Sequence, residues 1–458
     1  MALDKINFLS KEQIKTDKDS LETYGKDWTK HIEAKPLAIV FPKSTEETQK
    51  LVMWARENKI ALVPSGGRTG LSGAAIATNG EVVVSFEKMN KINSYNSIDE
   101  TVHCEAGVIT EQLQEYAQEQ GKFYPVDFAA RGSSQIGGNV ATNAGGIKVV
   151  RYGLTRDWVA GMTVVTGSGE ILKLNNALVK NASGYDLRHL FIGSEGTLGF
   201  ITELEMKVPR PPIELSVFVF GVPTLDAVMN IFEAYKSKVS LTAFEMFTDI
   251  ALKYVTDSTG LSRPFETESP YYVLVEVEND SEQSLEESMN IFEHCMEQGW
   301  VEDGTVSQNA QQAKDLWRLR EDISEATSAF QPYKNDVSVR ISKVPEFLTE
   351  MDEILKKQYP DIEVVWFGHI GDGNLHINML KPKDMDKDEF LSKCQKANDI
   401  LFQTIQKHEG SVSAEHGVGL TKKPYLQFTR SEQEILIMKS IKQVFDPDGI
   451  LNPGKVFN

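Results

Sequence analysis

At 458 residues the chain is long enough for two or three domains, each with its own core. Hydrophobic residues at 41% and charged ones at 25% are ordinary for a globular protein, while a net charge of −18 argues against nucleic acid or an anionic membrane surface as partner. The three cysteines, Cys104, Cys295 and Cys394, form no CxxC pair, which argues against a disulfide framework or zinc–thiolate site and fits a reducing compartment.

From the N-terminus onward, MALDKINFLSKEQIK carries no secretory signal pattern, and no run approaches about 18 apolar residues. A cytoplasmic location without a transmembrane segment is expected. AIVF reads as a strand, followed by a helix whose Ser44 and Glu47 have capping-box spacing. IALV (60–63), VVVSF (82–86) and TVHCEA (101–106) read as short strands, and a helix runs from about Thr110 to Gln120. Trp158 to Leu172 reads as a hairpin and FITELEMKV (200–208) as a strand. After the break Pro209-Arg210-Pro211-Pro212 come the strand LSVFVFG and a long helix. Strands at 271–278, 336–342, 362–369 and 375–380 then alternate with helices at 282–298, 313–330, 345–358 and 386–408, and a last helix spans 431–444. Strands, hairpins and helices mixed this way indicate α+β architecture.

Three glycine-rich segments stand out. PSGGRTGLSG (64–73) follows a strand, where glycines let backbone approach a ligand and successive N–H groups form an anion site. Alone it could equally be a surface turn, and it is neither a Walker A loop nor GxGxxG. PVDFAARGSSQIGGNVATNAGG (125–146) and GYDLRHLFIGSEGTLGFITE (184–203) repeat the pattern of small, hydrogen-bonding residues that an extended cofactor requires. Together they resemble the FAD-binding domain of the vanillyl-alcohol-oxidase-type flavoproteins. The resemblance implies that the first loop (Pro64, Ser65, Gly66, Gly67, Arg68, Thr69, Gly70, Leu71, Ser72) holds the pyrophosphate. By the same resemblance Pro125, Asp127, Ser133, Gly137, Gly138, Asn139, Thr142, Asn143, Gly145, Gly146, Glu195, Gly196, Ile201 and Asn452 follow the rest of the cofactor. Arg68 stands where close relatives commonly have Asn. Segments 64–73 and 125–146 contain no His or Cys, so the FAD is expected to be non-covalent.

VVWFGHIGDGNLHINML (364–380) contains Asp372-Gly373, a two-residue hairpin signal. A turn centred there pairs 371 with 374, 370 with 375 and 369 with 376, placing the Cβ atoms of His369 and His376 roughly 5 Å apart. The two imidazoles are either a metal-binding pair or structural histidines bonded to carbonyls. SVSAEHGVG (411–419) offers Glu415 as a third ligand and His416 as a free base. In DLWRLREDISEA (315–326) Arg320 and Ser324 are four apart, one helical face that suits a carboxylate. Lys334 follows in PYKND, and Arg340 has no assignable partner.

These residues resemble the C-terminal domain of the D-2-hydroxy-acid dehydrogenase branch of the family, from about Lys35 to the closing NPGKVF. The resemblance implies that His369, His376 and Glu415 hold zinc or another divalent ion and that His416 is the base. It implies too that Arg320, Ser324, Lys334 and Asn378 bind a small 2-hydroxy acid, with D-2-hydroxyglutarate favoured over D-lactate or glycolate because a dicarboxylate needs a distal cation. An electron-transferring flavoprotein or quinone-linked acceptor is implied, not NAD. TYGKDWTKH (23–31) also resembles bacterial members, without a physical account. The expected layout is an N-terminal segment (1–34), a two-subdomain FAD-binding domain (35–210), an antiparallel-sheet substrate (cap) domain with flanking helices (213–420), and a C-terminal helical segment (421–458) returning to the FAD domain. A metallohydrolase using the His-His-Glu set and a non-catalytic flavin-binding module are the readings from other classes; a homodimer is left open.

Overall fold

The computed structural model describes residues 2–29 and 32–457, so Lys30 and His31 of the TYGKDWTKH string lie outside the described residues. The chain forms two compact units. The first comprises Met1–Gly145, Gly153–Pro211 and Glu415–Asn458, the second Gly146–Tyr152 and Pro212–Ala414. The division therefore falls at Pro211/Pro212 and again at Ala414/Glu415, and the short run Gly146–Tyr152 belongs with the second unit. Among the described residues no helix is long and apolar enough to cross a membrane.

The first unit holds two sheets. In the four-stranded one, Ala38–Val40 and Leu62–Ser65 both pair in parallel with Val82–Ser85. A parallel sheet wants cover on both faces, and every residue of Val82–Ser85 is buried. The helix Thr45–Asn58 makes the crossover. Ser44 caps it by accepting the Glu47 N–H at 3.2 Å, and Lys59 in the left-handed region ends it. A single βαβ unit is thus embedded in an α+β whole. The chain's end extends this sheet: the Leu62 N–H donates to Ile450 O at 2.8 Å and the Asn452 N–H to Leu62 O at 2.7 Å. The second sheet is antiparallel, in the order Ile92–Asn96, Thr101–Glu105, Gly199–Lys207, Val159–Thr166, Ile171–Leu174. Its core packs Val102, Cys104, Leu204 and Met206 with Leu113 and Ala117 of helix Thr110–Glu119 and with Ile136 and Val140 of helix Ile136–Thr142.

The second unit is built on a seven-stranded antiparallel sheet. Its spatial order is Asp303–Val306, Leu215–Val222, Tyr271–Glu278, Ser240–Thr248, Val364–Gly368, Asn374–Met379, Tyr333–Ser338. On one face Ala243, Phe247, Leu274 and Phe367 pack against Ala251, Leu252 and Val255 of helix Asp249–Thr259 and Trp317 and Leu319 of helix Ala310–Glu321.

Three sequence expectations change in this unit. The hairpin after Val364–Gly368 is not a two-residue turn at Asp372-Gly373: Phe367 opposes His376, leaving the five residues 369–373 as the loop. Asp372 and Asn374 N–H groups both donate to His369 O (3.1 and 3.3 Å), and Asp372 Oδ1 accepts from Asn374 N at 3.1 Å, so a wider, side-chain-braced loop wins. The helix expected over 313–330 breaks at Asp322 into Ala310–Glu321, Ile323–Ala326 and a 3-10 turn, Ser328–Phe330. The strand expected over 336–342 is Tyr333–Ser338.

Candidate active site

In the first unit, a cleft of about 880 Å³, open in part to solvent, lies among the glycine-rich segments. Pro64, Ser65, Gly66, Gly67, Arg68, Thr69 and Gly70 line it, as do Gly137, Gly138, Asn139, Thr142, Glu195, Gly196 and Ile201. The glycines have two separate jobs. A Cβ on Gly67 would stand 2.0 Å from Ser133 O, so this glycine lets two backbones touch. A Cβ on Gly138 would meet nothing within 4 Å and would project into the cleft, so its absence leaves room for a ligand. The small, hydrogen-bonding lining and the paired glycines fit an extended dinucleotide.

The other expected cofactor residues do not line the cleft. Leu71, Ser72, Pro125, Asp127, Ser133, Asn143, Gly145 and Asn452 are not among its lining residues, and Gly146 falls in the second unit. Several brace the fold. Ser72 Oγ donates to the carbonyls of His416 and, at 3.1 Å, Gly417. Asn452 Nδ2 donates to Ala74 O at 2.9 Å and Glu195 O at 2.7 Å. Asp127 pairs with Arg131 at 2.7 Å, and Asn143, left-handed at φ 51°, closes helix Ile136–Thr142. Glu195 accepts the N–H groups of Val418 (2.7 Å) and Gly419 (2.8 Å), so the segment carrying Glu415 and His416 is clamped just beyond them. Burial pushes the Glu195 carboxyl up to about 7 against the pull of those two amides. Asp27, Phe86, Gln135 and Phe200 line the cleft and were missed in the sequence reading. Gln135 lay inside the string already singled out, while Asp27 came in the unexplained TYGKDWTKH.

In the second unit, cross-strand register collects the polar residues on one sheet face. Phe247 opposes Phe367, Phe367 opposes His376, and Lys334 opposes Asn378. Alternation puts His376 and Asn378, two apart, on that same face. His376 keeps the strand position expected of it, while His369 lies just past the end of its strand, in the loop 369–373. Their ring centroids are 5.3 Å apart at 83°. Glu415, joined directly to Ala414 at the end of this unit, completes a set whose ligand atoms all lie within 4.8 Å of one another. The ligand types and spacing fit a divalent ion with an open position.

Glu245 is the residue that sequence reasoning missed altogether. It lies on Ser240–Thr248, a strand buried at seven of nine positions with no polar alternation to announce it. Glu245 Oε1 is 2.8 Å from His369 Nδ1, and Oε2 is 2.8 Å from Arg320 Nη2. Burial alone would raise this carboxyl, yet His369 and Arg320 together hold it below the ordinary carboxylate range. A carboxylate on Nδ1 fixes the imidazole so that Nε2 can face an ion.

Arg320 is 5% exposed and stacks on Phe367 at 4.8 Å, and its Nε and Nη2 lack an aligned acceptor despite the nearby Glu245. Asn378, 1% exposed, has an unmatched Nδ2. Buried donors without acceptors are costly, and a carboxylate ligand would satisfy them. Ser324 is exposed, beyond the helix break at Asp322, so it does not share Arg320's helical face. Lys334 is exposed on the sheet's edge strand, and Arg340 pairs with Glu409 at 3.2 Å on the surface.

Comparison with known proteins agrees with this geometry. The family described as FAD linked oxidases, C-terminal domain, matches residues 212–456, and the FAD binding domain matches 36–175. The chain belongs to the FAD-linked oxidase family. As a member it is a flavoprotein dehydrogenase, and it is 58% identical to a D-2-hydroxyglutarate dehydrogenase of Stutzerimonas stutzeri over 97% of this chain and 96% of that one. It is 54% identical to a D-2-hydroxyglutarate dehydrogenase of Xanthomonas citri pv. viticola, over 97% and 94%. The family fold extends to 4-ethylphenol oxidase from Gulosibacter chungangensis, with a TM-score of 0.78 at 18% identity, covering 100% of this chain and 96% of that one.

Proposed function

We propose that the chain oxidises D-2-hydroxyglutarate to 2-oxoglutarate. The observation that carries this reading is a pair of buried donors without an acceptor, Arg320 Nε and Asn378 Nδ2, the first on the arginine that pairs with Glu245 and the second on the sheet face of His376. The two dehydrogenase relatives support the choice of substrate. Arg320 and Asn378 take the carboxylate next to the reacting carbon, and Lys334, across the strand pair from Asn378, takes the distal one. Ser324 contributes through solvent at most, given its exposure. The residues lining the cleft would hold FAD, which would supply a hydride acceptor for C2, and His369, His376 and Glu415 would hold a divalent ion, which would supply Lewis acidity toward the hydroxyl. His416 accepts the hydroxyl proton at an imidazole nitrogen as the C2 carbonyl forms. The backbone clamp of Ser72 and Glu195 around His416 to Gly419 fixes where that imidazole starts. The onward acceptor proposed, an electron-transferring flavoprotein or a quinone-linked chain, rests on the family resemblance alone.

The test is flavin bleaching under anaerobic mixing with a panel of D- and L-2-hydroxy acids. D-2-hydroxyglutarate is expected to bleach fastest and its L isomer not at all. Equal or faster bleaching by D-lactate or glycolate overturns the substrate; a protein that purifies colourless and does not take up FAD overturns the reaction class.

A further inference from the structure

The N-terminal segment TYGKDW packs beside the cofactor cleft and lends it one lining residue, Asp27. The Trp28 N–H donates to Gly70 O at 3.0 Å, and the Ala77 N–H to Gly25 O at 3.1 Å, which seats the segment against the first glycine-rich loop. Tyr24 lies under the Arg68 guanidinium, 4.4 Å from ring centroid to Cζ, and its hydroxyl donates to Glu87 at 2.8 Å. Arg68 sits in the left-handed region at φ 59°, so this stack helps hold a conformation that arginine seldom adopts.

Between these contacts lies Asp27, 8% exposed and part of the cleft lining. Its Oδ1 accepts the Thr29 N–H at 2.9 Å, but its Oδ2 is buried with no hydrogen-bond partner. That oxygen is on the loop side, since a Cβ added to Gly70 would stand 3.4 Å from it. Burial raises the Asp27 carboxyl above its ordinary value against the pull of Thr29 and of the Gly73 and Ala75 amides, which lie near the carboxyl without meeting Oδ2 in hydrogen-bond geometry. Burial pulls the Lys455 ammonium, 2% exposed and without a partner at Nζ, down to about 8, against the favourable charges of Glu81 and Asp27.

An ionised carboxylate oxygen is acceptor-only. It repels phosphate and needs an O–H or N–H donor. FAD offers hydroxyls on its ribityl chain and on its adenosine ribose, separated from each other by the pyrophosphate. We propose that Asp27 is a cofactor-binding residue whose Oδ2 accepts a hydrogen bond from one of these hydroxyls. The inference rests on FAD occupying the cleft, and it gives the TYGKDW segment a physical role.

The experiment titrates apoprotein with three flavins: FAD, an analogue lacking ribityl hydroxyls, and an analogue lacking adenosine-ribose hydroxyls. Wild type, Asp27→Ala and Asp27→Asn are compared by fluorescence, with circular dichroism and melting to monitor folding. Asp27→Ala should weaken FAD roughly 10- to 100-fold, the range for a hydrogen bond to a charged group. Asp27→Asn keeps an oxygen acceptor and the shape, so it should fold normally and lose less. One of the two analogues should bind all three proteins equally, because the contact is already gone. Unchanged FAD affinity overturns the proposal. So does weakening of all three flavins by one factor, which would make Asp27 a brace for the Trp28–Gly70 contact. Failure of the wild-type apoprotein to bind FAD would overturn the cofactor reading itself.

Discussion

A single carboxylate, Glu245, touches both a proposed metal ligand and a proposed substrate-binding arginine. Glu245→Gln keeps the volume but leaves Arg320 without its counter-charge and lets the His369 ring choose its tautomer. Metal affinity, measured by chelator competition, should fall about 10- to 100-fold, the usual consequence of losing a carboxylate behind a ligating histidine. Flavin content should stay full, because the cleft lies in the other unit. Unaltered metal affinity would refute the role. His416→Ala should slow flavin reduction by about 10²-fold or more with flavin and metal retained, and no slowing would remove it as the base. Lys334→Ala should raise KM for D-2-hydroxyglutarate far more than for D-lactate, which has no distal carboxylate; equal effects would mean Lys334 does not read that group. Histidines and glutamate with metal-ligand chemistry were legible in the sequence because few residue types do that work. Glu245 was not legible: its importance comes from the cross-strand neighbourhood of Phe247 and Phe367, which no local spacing encodes.

Among elements, the glycine-rich segments were read correctly as a group, because repeated small residues report on backbone approach whatever the fold. Which glycine does which job could not be read. Gly67 admits a neighbouring backbone, whereas Gly138 leaves space for a ligand. The two should therefore fail differently. Gly138→Leu should give a folded, colourless protein, seen by circular dichroism and loss of the flavin absorbance. Gly67→Ala should lose stability on the order of 1–3 kcal/mol, or fail to fold, since its neighbour at 2.0 Å is the Ser133 carbonyl oxygen. If both variants keep flavin and stability, the division of labour is wrong. Strand Ser240–Thr248 escaped notice because a strand buried on both faces resembles any apolar run. The broken helix at Asp322 escaped for the opposite reason: its sequence keeps helical spacing, and tertiary packing interrupts it. The expected opposition of His369 to His376 is replaced by Phe367 opposite His376, and the two imidazoles still meet, 5.3 Å apart, with His369 in the adjoining loop.

The two units carry separate cores, so the whole molecule should melt in two steps. Saturating FAD at about 100 times its Kd should stabilise the step of the first unit by about 2.7 kcal/mol and leave the other unchanged. Calorimetry in which both transitions shift equally with FAD would contradict this. One further consequence follows from the tail, where Ile450 and Asn452 hydrogen-bond to Leu62 and Asn452 reaches Ala74 and Glu195. All three glycine-rich segments leave the ribosome early, yet the sheet that supports them is completed only when Asn452 emerges. At about 5–20 residues per second, the wait from Gly199 to Asn452 is on the order of 10–50 s. The inserted second unit can finish folding during that interval. Flavin loading thus waits until Asn452 has emerged, and a nonsense codon just after Phe445 would yield a chain that has all three glycine-rich segments but no colour.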